Sequence, residues 1–229
     1  MRLSIVIPAL NEAPHIARAV ASAWQSGANE VIVVDGGSDD GTRDVAAGLE
    51  CTLLAAPRGR AAQQNAGAKV ATGDVLLFLH ADNHLAAGDV AQRIADCFSD
   101  PRRLHGALHQ RIDSPGIGFR LLELGNALRV RWLGLPYGDQ AIFVRRDSFW
   151  QAGGFPDEPL LEDLILMQRL RKTAWPTLLA GQVVVSPRRW HSHGVLGQTL
   201  RNWWLVTRYW LGTPPAALAR HYRGHDVRD

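Results

Sequence analysis

Leu76-Leu77-Phe78-Leu79-His80-Ala81-Asp82-Asn83 sets a short apolar run directly against an imidazole and a carboxylate. Bounded upstream by the Gly73-Asp74 turn, the run Val75 to Leu79 reads as a buried strand. In an open α/β sheet, ligands bind just beyond the carboxyl ends of the strands. A carboxylate placed there can hold a divalent cation such as Mg2+ or Mn2+, and the cation can hold a phosphate. The same residues also suit a plain strand followed by a helix-capping Asp. Taken alone, the stretch supports both readings equally.

The flanking chain repeats the pattern. Leu3 to Ile7 is a β-branched run closed by Pro8, and Val31 to Val34 is a second run stopped by Asp35. Cys51 to Ala55 is a weaker third strand. Between them, Asn11 can cap a helix carrying Ile16, Val20 and Trp24 at helical spacing, and Ala61 to Ala71 is rich in helix formers. Strand alternating with helix predicts an α/β fold with a mainly parallel, Rossmann-like sheet flanked by helices. The polar strand ends Asn11-Glu12, Asp35 and His80 to Asp82 then share one edge.

Downstream the regularity loosens. Gly106 to Ile112 and Ala141 to Val144 read as strands, and Ile117 to Leu133 as an amphipathic helix interrupted by Arg120, Arg129 and Arg131. Leu161-Glu162-Asp163-Leu164 begins a helix running to about Arg171, Val183 to Val185 is a late strand, and Leu196 to Leu211 is a helix carrying Trp203, Trp204, Tyr209 and Trp210. The tail after Tyr222 is expected to fray. The Trp-rich face suits either a membrane interface, a second copy of the chain, or burial, and burial is the commoner fate of such a face.

The 229 residues are 46% hydrophobic with a net charge of +3, enough for a sizeable core. All but Lys69 and Lys172 of the 25 basic residues are Arg, whose planar fork suits phosphates and carboxylates. No dense basic run with interleaved aromatics is present, which argues against a nucleic-acid binder. Cys51 and Cys97 have neither metal nor redox spacing and point to a reducing, cytoplasmic setting. The apolar part of Met1 to Pro8 is too short for a signal peptide.

Four constellations could carry chemistry. Asp35 with Gly36-Gly37-Ser38 can cup a nucleoside, or form an Asx-type turn. Arg58-Gly59-Arg60 with Gln63, Gln64 and Asn65 can clamp a diphosphate at a helix start, or form a solvated basic loop. Glu162-Asp163 can cap a helix, or supply a general base. His191 and His193, two apart, can ligate a metal or serve a structural role. The absence of Gly-x-Gly-x-x-Gly and of Gly-Lys-Ser/Thr disfavours a dinucleotide enzyme or a P-loop protein.

As an ordered set, Ile7-Pro8-Ala9-Leu10-Asn11-Glu12, Val34-Asp35-Gly36-Gly37-Ser38-Asp39-Asp40-Gly41-Thr42 and Leu79-His80-Ala81-Asp82 resemble the family 2 glycosyltransferases of the GT-A fold. Gly138-Asp139-Gln140, Leu161-Glu162-Asp163 and Arg188-Arg189-Trp190 continue the match, which runs from about Leu3 to Trp190. Arg60, Ala61, Gln63, Asn65, Ala66 and Gly67 are similar to a small bacterial subgroup linked to arsenosugar biosynthesis.

The resemblance implies inverting, metal-assisted transfer of a sugar from a UDP- or GDP-type donor to an acceptor hydroxyl, on a small molecule or a lipid-linked acceptor. It implies a nucleoside pocket of Pro8, Ala9, Asn11, Glu12, Asp35 and Gly37, with Arg60, Asn65 and His80 toward the diphosphate. It further implies Asp82 on Mg2+ or Mn2+, with His191 or His193 as further ligands, and Asp163 as base beside Glu162. Arg188, Arg189 and Trp190 match a motif at the donor or acceptor end. The implied layout is a GT-A domain over residues 1–190, with a nucleotide-binding half to 100 and an acceptor half after it. Residues 191–229 would be a helical extension, and peripheral contact with the inner face of a membrane fits that layout.

Two departures stand out. The family's second acid after the second strand is here Gly36, which leaves the base open, and its Asp-x-Asp is here His80-Ala81-Asp82. The competing readings are a non-catalytic sugar- or nucleotide-binding protein with an eroded metal motif, and a nucleotidyltransferase on a similar fold.

Overall fold

The computed structural model describes residues 1–188, 190 and 194–226. Arg189, His191 and His193, singled out above, lie outside this set.

The four apolar runs form β1 (Leu3–Ala9), β2 (Glu30–Asp35), β3 (Thr52–Ala55) and β4 (Val75–Phe78). They pair in parallel in the order β3-β2-β1-β4. Helices α1 (Ile16–Gln25), α2 (Thr42–Ala47) and α3 (Arg60–Val70) supply the crossovers. The same sheet continues through β7 (Phe143–Arg145), β6 (His105–Ile112), β8 (Thr177–Val185) and the short β5 (His84–Leu85). Of these, β7 runs antiparallel to β4 and β6, β8 is parallel to β6, and β5 is antiparallel to β8.

Both faces of the sheet are covered, which is why the central strands are apolar throughout rather than alternating. Leu3, Ile5, Ile7, Val33 and Leu77 pack with Ile16 and Val20 of α1 and Ile94 of α4 (Val90–Phe98). On the other face, Val6, Ile32, Val34, Leu76 and Phe78 meet Ala61 and Ala68 of α3, Phe149 of α6 (Arg146–Gln151) and Leu164 of α7 (Glu162–Leu170). A small third cluster of Leu160, Leu205, Leu218 and Ala219 ties α8 (Val195–Trp210) and α9 (Pro215–Asp226) to the body.

The strand pairing also explains where the sheet opens. The carbonyl of Val6 accepts a hydrogen bond from Leu79 N at 3.0 Å. Two residues on, Pro8 faces the same side and has no N–H to offer, so pairing between β1 and the chain leaving β4 stops there. The chain after β4 diverges as His80 to Asp82. Because β7 is antiparallel, the segment entering it (Gly138 to Ile142) reaches this edge as well.

Several expectations need correction. Helix α4 went unassigned, although Asp89 caps it by accepting from Gln92 N at 3.0 Å. Strand β8 begins at Thr177 rather than Val183; its first half is only partly buried and carries Gly181, so no apolar run marks it. Helix α9 continues past Tyr222 to Asp226, so the expected fraying does not begin at Tyr222. The preference for burial of the Trp-rich face also fails: Trp203, Trp204 and Trp210 are all exposed, and Leu205 faces the body instead. Among the described residues no helix is long and apolar enough to cross a membrane.

His105 on β6 is fully buried, and neither ring nitrogen has a hydrogen-bond partner among the described residues. Burial pushes its pKa down to about 4, so the fold holds it neutral. An unfolded His titrates near 6.5, so below that pH only the unfolded chain gains the proton. Stability is therefore full above about pH 6.5 and falls as pH drops toward 4, by on the order of 3 kcal/mol from this group. His105→Leu is expected to flatten the urea midpoint across that window, and an unchanged slope would assign the acid sensitivity to other groups.

Candidate active site

Local turns bring the acidic strand ends together. Asn83 N donates to the His80 carbonyl at 3.0 Å, closing the turn that presents Asp82. The loops after β1 and β2 are tied together: Asn11 N donates to Ser38 Oγ at 3.0 Å and Asp39 N to Asn11 Oδ1 at 3.1 Å. Glu12 N donates to Thr42 Oγ1 at 2.8 Å, and Ala13 N to Asp40 Oδ2 at 3.0 Å. Asn11 adopts a positive φ of 54°, which its short polar side chain tolerates, and this turns Glu12 toward the edge.

Glu12 and Asp82 converge on one guanidinium. A single Arg188 nitrogen donates to Glu12 Oε1 at 2.8 Å and to Asp82 Oδ2 at 2.9 Å. Burial pushes the Glu12 pKa up, while the Arg188 hydrogen bond pulls it down and the Asp82 charge adds to the rise. The guanidinium, held by two carboxylates, is favoured in its charged form. Glu12 is the member left short, and its Oε2 is buried with no donor among the described residues.

Asp35 is nearly inaccessible and engaged by its own turn. It accepts from Gly37 N at 3.0 Å, from Ser38 N at 3.2 Å and from Ser38 Oγ. The Asx-type turn is thus formed, and Gly37 takes the left-handed φ of 87° that the turn needs. Gln63, from the first turn of α3, is a buried tie across the strand ends: its Nε2 donates to Ala9 O at 2.7 Å and Val34 O at 2.9 Å. A Cβ at Gly36 would lie 3.0 Å from the Gln63 carboxamide carbon. Gln63 thus fills the space that a side chain at position 36 would need.

Arg60 opens α3 and pairs with buried Glu162 through Nε and Oε1 at 3.1 Å. Both ends of the Asn65 amide bond the Phe155 backbone, at 2.8 and 3.0 Å. Trp190 stacks edge-on against Phe119 of α5 (Ile117–Leu133) at 6.2 Å, which anchors the segment carrying Arg188.

Asp163, in the first turn of α7, accepts from Gly138 N through Oδ2 at 2.6 Å and from Leu164 N through Oδ1 at 2.7 Å. A Cβ at Gly138 would come within 3.1 Å of His80 Nε2 and 3.2 Å of Asp163 Oδ2. The imidazole and the carboxylate therefore face each other across a glycine that keeps them close. Leu161, just before Glu162, and Ala141, just after Gln140, adopt positive φ of 64° and 48°. With Asn11 they are the non-glycine positive-φ residues among those described, and all border this edge. Such strain gathers at sites whose geometry is over-determined by packing.

The edge holds two adjoining cavities. One of about 310 Å³ is lined by Pro8, Ala9, Glu12, Arg58, Arg60, Gln63, His80, Asp82 and Arg188. The other, about 120 Å³, is lined by Asp163, Asp139, Tyr137, Leu161 and Val206. His80 and Arg60 belong to both. The first is basic with hard oxygen donors; the second offers a carboxylate beside apolar walls.

Among the described residues no three His, Cys, Asp or Glu side chains converge as a ready-made metal site. The donors nonetheless suit Mg2+ or Mn2+: two carboxylates share one cationic partner, one of them has an orphaned buried oxygen, and a hard ion completes its shell with phosphate and water.

Comparison with known proteins fits this geometry. The model of glycosyl transferase family 2 matches residues 4–137. An uncharacterized glycosyltransferase of Nostoc sp. is 35% identical over 92 residues, covering 36% of this chain and 29% of that protein. Residues 1–349 of S. aureus TarS superpose with a TM-score of 0.63 at 16% identity, over 82% of this chain and 61% of the other. Mannosyltransferase PcManGT from Pyrobaculum calidifontis, in complex with GDP-Man and Mn2+, gives 0.63 at 21% identity, over 79% and 56%. Glucosyl-3-phosphoglycerate synthase from Mycobacterium tuberculosis, with Mn2+, UDP and glucosyl-3-phosphoglycerate, gives 0.57 at 18%, over 80% and 70%. The curled sheet with flanking helices is the GT-A architecture of these structures. The chain spans less than two thirds of the length of the first two relatives.

Proposed function

The chain belongs to glycosyl transferase family 2, and on that premise we propose that it moves a sugar, with inversion, from a nucleoside diphosphate donor of UDP or GDP type to an acceptor hydroxyl. The observation that carries this reading is the pair of cavities meeting at His80 and Arg60. The basic cavity suits a diphosphate, and the neighbouring one puts a carboxylate where an acceptor would approach.

In this reading Pro8, Ala9 and the turn held by Asp35 shape the nucleoside end, and Arg58, Arg60 and Arg188 meet the diphosphate. A divalent ion on Asp82 would offset the charge that collects on the leaving group. Its use of Mn2+ is supported by the bound ions of PcManGT and the M. tuberculosis synthase. The bond from the anomeric carbon to the phosphate oxygen breaks with its electron pair on the departing nucleoside diphosphate. The acceptor oxygen bonds from the opposite face, and its proton passes to Asp163. Glu162 holds Arg60 in place rather than exchanging protons, because its carboxylate is buried in that ion pair.

The test is a panel of UDP- and GDP-sugars incubated with Mn2+ and small hydroxyl acceptors, reading nucleoside diphosphate release. Release with one donor class, lost in EDTA, is the expected result. Tight nucleotide binding with no release from any donor would support the non-catalytic reading instead.

A further inference from the structure

A broad exposed apolar surface runs across α5 and α8. On α5, Ile117, Leu121 and Leu124 follow at helical spacing and are 80%, 62% and 55% exposed, with Trp132 and Leu133 exposed at the helix end. On α8, Leu200, Trp203 and Trp204 fall on one side at the same spacing, with Trp210 beside them and exposed Leu211 just past the helix end, and Trp203 is 69% exposed. The two sets adjoin, because Leu121 and Trp203 line one groove of about 530 Å³ between the helices. Monomeric proteins rarely leave a continuous apolar surface of this kind uncovered.

Charge identifies what covers it. Helix α8 carries Arg201 and Arg208 and no acid, and Arg208 lies one turn beyond Trp204. Helix α5 adds the exposed Arg131, whereas Arg129 turns inward to the Leu135 carbonyl, Gln140 and the Tyr137 ring, and Arg120 pairs with the helix's single acid, Glu123, which also meets Arg111. A second copy of this chain would set these arginines against each other across a two-fold contact. An anionic bilayer surface satisfies both features: indole rings settle at the headgroup boundary, and each basic side chain near the surface adds attraction. We propose that the α5–α8 face docks on the surface of an anionic lipid membrane.

The placement connects with the cleft. Tyr137 and Val206 line both the groove and the cavity holding Asp163. A protein docked by this face presents the acceptor side of its cleft near the headgroups. The docking itself does not depend on sugar transfer, so it can fail or hold independently of the reading above.

The experiment is sedimentation of the full chain with vesicles of phosphatidylcholine alone or with about 30 mol% phosphatidylglycerol, alongside tryptophan emission. Binding to the anionic vesicles with a blue shift is expected, weakening in about 0.5 M salt. The double variant Leu200→Ser, Trp203→Ser should lose about tenfold in binding with an unchanged thermal midpoint, because both side chains are solvent-facing. Arg201→Glu with Arg208→Glu should erase the preference for anionic lipid. Absence of binding to either vesicle overturns the proposal. So does a stable dimer at micromolar concentration that the Leu200→Ser, Trp203→Ser variant dissolves, since the face would then belong to a second copy.

Discussion

Asp163→Asn is expected to lower sugar transfer between about a hundredfold and ten-thousandfold, the range a positioned general base contributes, while nucleoside diphosphate affinity changes by less than about twofold. The argument rests on how the carboxylate is held. Its two oxygens take the N–H groups of Gly138 and Leu164, so its position is set by the backbone of two separate elements. Asn keeps one of those bonds and the shape of the side chain, and the cost of the other is about 1 kcal/mol. A modest fall in thermal midpoint is therefore expected beside the collapse in turnover. Calorimetry with UDP and GDP separates the two effects, since Asp163 lines the cavity on the far side of His80 from Asp82. Turnover near the wild-type level would remove Asp163 from the chemistry. Matching losses in turnover and nucleotide affinity would make it a residue that shapes the cleft as a whole.

How far the chain could be read in advance depended on how local each signal was. The strands β1, β2 and β4 are β-branched or leucine-rich runs ended by Pro8, Asp35 and His80, and a parallel sheet must bring such ends to one edge. That much needs only periodicity and topology. The partners of the polar groups are a different matter, because they come from distant parts of the chain. Arg188 reaches Glu12 across 176 positions, and nothing in Ser186 to Trp190 signals that contact. Asn65 and Gln63, two residues apart on α3, face different neighbours, so one anchors Phe155 and the other ties Ala9 to Val34. Glu162 and Asp163 are adjacent, yet the helix start buries one against Arg60 and turns the other to Gly138. Helix α4 was legible in principle, with Asp89 as cap and Val90, Ile94 and Cys97 buried at helical spacing. Exposure of the Trp-rich face was not, because a sequence pattern shows that a face exists and not what lies against it.

Asp82→Ala is expected to lower nucleoside diphosphate affinity about a hundredfold in Mn2+ and to leave it unchanged in EDTA. The chain leaving β4 carries one acid where the family carries two, so the hold on a divalent ion there is thin. His80 lies close to Gly138 and Asp163 and also lines the cavity that holds Asp82, but an imidazole brings no negative charge to a hard ion. Removing Asp82 leaves Glu12, already bound to Arg188, as the one carboxylate beside that ion, so the diphosphate keeps chiefly its contacts with arginine. Glu12→Gln is the informative companion. Glu12 shares the Arg188 nitrogen with Asp82, and burial already disfavours its charge, so at neutral pH its neutral form relieves a cost in the fold. Its folded-state pKa is raised, so the carboxylate's cost is absent at acid pH and grows as pH rises through that value. The Gln variant should accordingly unfold later than wild type at pH 7 and match it in acid. Arg188→Ala tests the remaining possibility, that Asp82 acts only by holding the guanidinium. If it does, Asp82→Ala and Arg188→Ala weaken binding alike with and without Mn2+. If Asp82 holds the ion, the EDTA measurement separates them, with Arg188→Ala weakened in both conditions and Asp82→Ala only when the metal is present.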